Sequence, residues 1–342
     1  MASGDGSGAN DNIALLADNE EIMRYVSAIS RPRTGSESSG SLHGPISIDE
    51  EYKFTEISHP AQVLTWLNHL RNSQHICDVV LTAGGQEFNC HKIVLASFSP
   101  YFHAMFTGNL VESTQQRITI NDIEGSIMEF LVNYAYTSEI MINKQNVQAL
   151  LSASNLLEIL PVKEACGQYL EHNMDVTNCI GIHCFAEAHA CIELQQKSKD
   201  YILQHYSNVS LHEEYLQLSR DKLIEFLKDD SLNVCSEEVV YHSSVRWLDF
   251  DSEGRKSDFE KVLEHVRLPL ISPYFLYDVI EKQEAVCVSD KCKELVDEAK
   301  TYQLLQDRRT ELQTVRTHLR KSYGGYFIYS VRIILDDLYI TV

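Results

Sequence analysis

One short strand–turn–strand, followed by a long run of helical periodicity, is the feature that most limits what this chain can fold into. Predicted strands at Cys77–Thr82 and Gln86–Cys90 flank Ala83-Gly84-Gly85, a hairpin-type turn. Two strands are marginal as a sheet by themselves, so helices must cover them. Helical spacing is present on both sides. Before the hairpin, Val63, Leu67 and Leu70, with Leu64 and Trp66, form one apolar face behind Pro60, a favoured first-turn residue. After it, Ser99-Pro100 reads as an N-cap with proline at the first helical position, placing Tyr101, Phe102, Met105 and Phe106 on a helix. Further helices are expected over Glu124–Tyr136 and Gln145–Leu160, and then in succession from Thr177 to about Leu305, as with Tyr241, Val245 and Leu248 at i, i+4, i+7. The expected fold is an α+β domain over residues 60–173, then an all-α domain over 177–305.

Length agrees with that division, since 342 residues exceed the roughly 250–300 at which a single core stops growing. The formal charge of −20 opposes binding to nucleic acid, which needs clustered Lys and Arg, and to anionic membrane surfaces. No run nears the roughly 18 apolar residues of a membrane span, and Met1 to Asn12 lacks the pattern of a signal peptide. A cytoplasmic or nuclear location with nine reduced cysteines is the expectation.

The two ends differ from the middle. Residues 1–59 read as an extension with a weak apolar pattern from Ile13 to Ile29. A linker follows, in which nine of the eighteen residues from Ser30 to Ser47 are Ser or Gly. Arg33-Thr34-Gly35-Ser36 resembles a basophilic kinase site, a match short enough for chance to explain. At the other end, Phe327 to Leu335 alternates like a strand, with Leu338–Val342 as a second candidate. The tetrapeptide Ser-Pro-Tyr-Phe occurs at 99 and again at 272, which reads as shared capping chemistry. No period of 45–50 residues is present, so no propeller or solenoid array is expected.

Catalytic chemistry finds little support. Cys179, His183, Cys184, His189 and Cys191 crowd one region, and Cys179 and His183 lie one helical turn apart. Yet no C-x-x-C pair or second ligand pair accompanies them, so packing is the favoured reading and no metal is expected. A reactive thiol would need a depressed pKa in an electropositive setting, which an acidic chain does not favour. Nucleophile elbow, Walker loop, dinucleotide fingerprint and H-E-x-x-H are all absent, and Gly84-Gly85 is too short to cradle phosphate. Neither a catalytic residue nor a cofactor is expected.

The ordered motifs carry a resemblance. Cys77-Asp78-Val79-Val80-Leu81, then Phe88-x-Cys90-His91-Lys92-Ile93-Val94-Leu95-Ala96-Ser97, then Ser99-Pro100-Tyr101-Phe102-x-Ala104-Met105-Phe106-Thr107 resemble the BTB (POZ) domain. Tyr134-x-Tyr136-Thr137-Ser138 and Asn146-Val147-x-x-Leu150-Leu151 extend the match. Leu160-Pro161-Val162-Lys163, Asn178-Cys179-Ile180-Gly181-Ile182, Arg246-Trp247-Leu248 and Val266-Arg267-Leu268-Pro269-Leu270 resemble the BACK domain of kelch-like proteins. The resemblance runs from about Pro60 to Arg320.

That resemblance implies an adaptor subunit of a cullin-3 RING ubiquitin ligase, homodimeric through BTB, without enzymatic activity of its own. By position it assigns cullin binding to Met105, Phe106, Thr107, Leu110, Glu112, Tyr134 and Tyr136. It assigns Asp78 and Lys92 to the dimer interface as a charged pair, and the apolar helix face of Val63, Leu67 and Leu70 suits the same two-fold contact. Cys179, His189 and Cys191 match positions where the family has helix-packing residues. Thr317-His318-Leu319-Arg320-Lys321 resembles the lead-in to a first kelch blade, so residues 306–342 read as the start of a propeller that does not follow. On that reading the chain occupies cullin-3 without holding the protein substrate a kelch domain would capture. The rival readings are a dimeric or cytoskeletal BTB scaffold that never meets a cullin, and a transcription regulator, which would need a zinc-finger array or basic segment.

Overall fold

The computed structural model describes residues 53–108 and 111–321. Leu110, the kinase-like site near Arg33, the Ile13–Ile29 pattern and the strand-like Phe327–Val342 stretch lie outside these residues. Residues 53–57 belong to a separate unit and carry no helix or strand.

Helix α1 (His59–Asn72) opens the second unit, with a proline in its first turn. Strands β1 (Val79–Ala83) and β2 (Gln86–Cys90) pair antiparallel, from Val79 opposite Cys90 to Ala83 opposite Gln86. The two-residue turn between them has φ of +53° at Gly84 and +80° at Gly85, the mirror-image turn whose twist suits a hairpin. Gly84 has a second reason to lack a side chain, because a Cβ there would lie 2.4 Å from the backbone N of Gly125. A third strand, β3 (Arg117–Thr119), joins parallel to β1 with Ile118 beside Leu81, giving the order β2–β1–β3. Sequence patterning missed it because three residues show too little alternation to register.

Helices α2 (Lys92–Phe98) and α3 (Pro100–Thr107) turn sharply about Ser99. The Ser99 hydroxyl accepts from the Phe102 N–H at 3.2 Å as an N-cap and donates to the Leu157 carbonyl at 2.6 Å. The repeated tetrapeptide behaves differently at Ser272, which makes no side-chain cap and precedes a helix of only three residues. Helix α4 (Gly125–Thr137) covers the sheet, burying Ile127, Met128, Leu131, Val132 and Ala135.

Two helical hairpins follow, where one unbroken helix to Leu160 was expected. Helices α5 (Val147–Leu156) and α6 (Leu160–His172) form the first, α7 (Cys179–Ala188) and α8 (Ile192–Gln204) the second. Each pair has a helix of 10 residues and one of 13. They superpose on the sequence at an offset of 32 positions, and their local bonding is the same. The Asn146 side chain accepts from Asn143 N–H at 2.8 Å and donates to Met141 O at 2.9 Å. Asn178 does likewise with Asp175 N–H at 2.8 Å and Asn173 O at 3.0 Å. Each turn is completed by a left-handed residue, Glu158 at φ +54° and Ala190 at φ +51°.

Residues 173–178 join the two hairpins without helix or strand. Ile182, Ala186, Cys191 and Leu194 of the second hairpin complete the core of the sheet domain. Cys179 and Ile180, in the first turn of α7, begin the core of the helical domain. The remaining helices surround that second core: α9 (Tyr206–Val209), α10 (Glu213–Leu216), α11 (Arg220–Lys228), α12 (Glu237–Phe250), α13 (Ser252–Leu263), α14 (Pro273–Phe275), α15 (Glu284–Val288) and α16 (Asp290–Leu304). Its centre holds a closed hydroxyl chain, with Tyr206 Oη 2.8 Å from Tyr215 Oη and 2.7 Å from Ser243 Oγ. Trp247 Nε1 donates to Leu218 O at 2.8 Å, so its indole is buried without an orphan donor. Among the described residues no helix is long and apolar enough to cross a membrane.

Candidate functional site

Met105, Phe106 and Thr107 form the C-terminal end of α3, and Glu112 sits in the turn that follows. Phe106, half-buried, stacks on the buried Phe102 at 5.9 Å between ring centroids. Lys92 Nζ lies over the same ring, 5.4 Å from its centroid, and donates to the Ser113 carbonyl at 2.9 Å. Lys92 thus ties the start of α2 to the 3₁₀ turn Val111–Ser113 across the face of Phe106. Met105 is half-buried and Thr107 exposed, its hydroxyl returned to His103 O at 2.7 Å. Within the turn, Glu112 is half-buried beside Val111, which is 70% exposed. Tyr134, half-buried on α4, packs against the same core.

Tyr136 does not join this surface. It is 1% exposed, and its hydroxyl accepts from His91 N–H at 2.9 Å and lies 3.0 Å from His91 Nδ1. Burial holds its phenol well above the ordinary value, and the Arg71 guanidinium covers its ring at 4.8 Å. The correction follows from helical geometry. Positions i and i+2 lie about 200° apart on a helix, so Tyr134 and Tyr136 cannot line one groove.

The dimer assignments divide in a similar way. No residue of α1 is buried; Val63 is 43% exposed, while Leu67 and Leu70 are half-buried and Leu67 packs on the core. Asp78 and Lys92 do meet, though not as a desolvated ion pair. Asp78 is exposed and its Oδ1 accepts from the Lys92 backbone N–H at 2.7 Å, capping α2 from outside. The Lys92 ammonium is turned away toward Ser113.

A feature the sequence reading passed over lies alongside. A groove of about 490 Å³ is lined by Phe98, Pro100, His103, Glu158, Leu160 and Pro161. Leu160 and Ile192, equivalent positions of the two hairpins, are 59% and 78% exposed. Lys163 joins the two turns, donating to Asn155 Oδ1 at 2.8 Å and Ala190 O at 3.5 Å. The available signal was the pair of apolar residues directly after each turn.

In the cysteine- and histidine-rich stretch Cys179, His183 and Cys191 are buried while Cys184 is exposed. Cys179 is fully buried, and burial followed by nearby Glu214 pushes its thiol up to about 12. His183 is also fully buried, with Nδ1 3.1 Å from Ser198 Oγ and 3.1 Å from Gln195 O. His189 packs at a tilt against Phe185, 4.4 Å between ring centroids, and burial also raises the Cys191 thiol.

Comparison with known proteins agrees with both halves. The BTB/POZ domain model matches residues 67–174, and the model described as BTB And C-terminal Kelch, abbreviated BACK, matches residues 179–281. A solved structure, the BTB domain of zebrafish PATZ1, is 28% identical, covering 36% of this chain and 99% of that one, with a TM-score of 0.33. The two family matches lie in tandem and together span more than half of the 342 residues. The sheet-containing half is a BTB domain and the helical half a BACK domain, and the chain is a BTB–BACK protein of the kelch-like type.

Proposed function

We propose that this chain is a non-catalytic cytoplasmic adaptor that dimerises through its BTB domain and binds cullin-3 through the end of α3 and the Val111–Ser113 turn. The observation that supports the reading best is the Phe102–Phe106–Lys92–Ser113 stack. It presents a half-buried aromatic, a methionine and a carboxylate from a turn held in place by a lysine. An apolar anchor beside one charge is the composition of an interaction hot spot, with the charge setting register. The groove along Leu160 and Pro161 extends this surface toward the second hairpin. On α1, the exposed Val63 face suits a two-fold, self-complementary contact.

Calorimetric titration of the whole chain with the N-terminal domain of cullin-3 tests the reading. Binding is expected, weakened by Glu112→Lys through charge reversal and by Phe106→Ala through loss of an anchor contributing upward of ~2 kcal/mol. A folded double variant that binds as tightly as wild type refutes the assignment. Light scattering should give a dimer at micromolar concentration.

A further inference from the structure

Beyond α16 the chain doubles back over the helical domain, and residues 314–321 are held there by polar contacts. Val315 and Leu319 are 79% and 81% exposed, so burial of these two large apolar side chains does not attach the segment. Arg320 does. Its Nε donates to Glu237 Oε1 at 2.5 Å. Nη1 donates to Leu227 O at 2.8 Å and Asp229 O at 3.0 Å, and Nη2 to Glu237 Oε2 at 3.2 Å and His265 O at 3.3 Å. A guanidinium has five N–H donors, and each finds an acceptor here. The side chains of Arg320 and Glu237 are each 5% exposed.

The acceptor site is braced independently of Arg320. Glu237 Oε2 also accepts from the Arg267 N–H at 3.2 Å. Arg267, 3% exposed, pairs with Asp230 and donates from Nη1 to His318 O at 2.6 Å. The Lys321 N–H donates to Asp230 O at 2.6 Å. Upstream, Arg316 pairs with Glu298 at 2.5 Å and Thr314 and Thr317 form a reciprocal capping box.

We propose that Glu237 and the carbonyls of Leu227, Asp229 and His265 form an arginine-recognition socket for an extended peptide segment, filled in cis by Arg320, which fixes the chain leaving Lys321 to the helical domain. A fixed fork of five donors fits this set of acceptors; a lysine ammonium, with three donors on a flexible stem, cannot satisfy it. The ligand class is therefore a peptide arginine and not a cation in general. The socket lies in the BACK half, apart from the surface proposed for cullin.

Hydrogen exchange on the whole chain, followed peptide by peptide, tests this. In wild type the amides of Thr317 and Lys321 should be protected. Both Arg320→Ala and Arg320→Lys should speed exchange across 314–321 by about tenfold or more, with the BTB core unchanged. Arg320→Ala leaves a buried carboxylate alone and can unsettle α12. The double variant Glu237→Gln/Arg320→Met buries no charge at that point; α12 should stay protected in it while 314–321 is released. Free-peptide exchange of 314–321 in wild type, retained protection in Arg320→Lys, or retained protection in the double variant would each overturn the proposal.

Discussion

The Tyr136 hydroxyl accepts the backbone N–H of His91 at 2.9 Å, joining the end of α4 to the residue that starts α2. Among the described residues no other acceptor meets this buried N–H. Tyr136→Phe should therefore cost about 1–3 kcal/mol, the penalty for a buried N–H left unpaired. Urea denaturation measures it. Tyr134→Ala, on the half-buried face, should affect partner binding more than Tyr136→Phe does.

Asp78 acts on α2 through its carboxylate and not through an ion pair. Asp78→Ala should destabilise the BTB domain by about 0.5–2 kcal/mol, as loss of a helix cap does. Lys92→Met should leave that contact intact, because the Lys92 backbone is the donor. Thermal melts of the two variants separate the cases, and equal losses would show that the side chains depend on each other after all.

Lys92→Met should instead loosen the Val111–Ser113 turn. The lysine is half-buried, so little global stability is at stake, under about 1 kcal/mol. Faster amide exchange at Thr114 and Gln115 and weaker cullin-3 binding are expected together. Weakened binding without a loosened turn would make Lys92 a direct contact.

Acid should destabilise the fold through His183 and His265. Burial is the largest cause in both and lowers their pKa from the ordinary 6.5, with Lys228 adding to the effect at His265. A histidine whose folded pKa is depressed binds its proton more readily when unfolded. Stability is thus kept above about pH 6.5 and lost as pH falls through the folded values. Melting temperatures from pH 8 to pH 5 should fall below 6.5, less steeply for His183→Gln. An unchanged slope in that variant assigns the loss elsewhere.

The two cores share α7, so damage to the second hairpin should reach the sheet domain. Leu194→Ala removes a side chain 5% exposed in the first core and should cost about 2–5 kcal/mol. Exchange should rise in α6 more than in α16. The reverse order would place Leu194 with the helical core.

Much of this fold could be read from residue patterns. The hairpin, the Ser99 cap and the buried faces of α4 and α12 follow from alternation, capping chemistry and helical period. Three things could not. Strand β3 is too short to carry a pattern, and its parallel pairing depends on β1 alone. Asp78 and Lys92 were legible as neighbours, but sequence cannot tell a carboxylate bonded to an amide from one bonded to an ammonium. The paired hairpins share Asn146 with Asn178 and Tyr169 with Tyr201, and no other identity between residues 143–172 and 175–204. Their likeness lies in backbone turns and in which positions are buried, both of which tolerate wide substitution.

That duplicated hairpin changes how force and position pass along the molecule. A hinge needs a few residues that can rotate without disturbing packed side chains. Here α7 belongs to both interiors, with Ile182 and Ala186 in one core and Cys179 and Ile180, in its first turn, in the other. Bending at residues 173–178 would have to prise apart both interiors at once. The molecule should accordingly behave as a stiff arm, in which the span from α3 to α16 is set by side-chain packing and not by thermal motion of a connector.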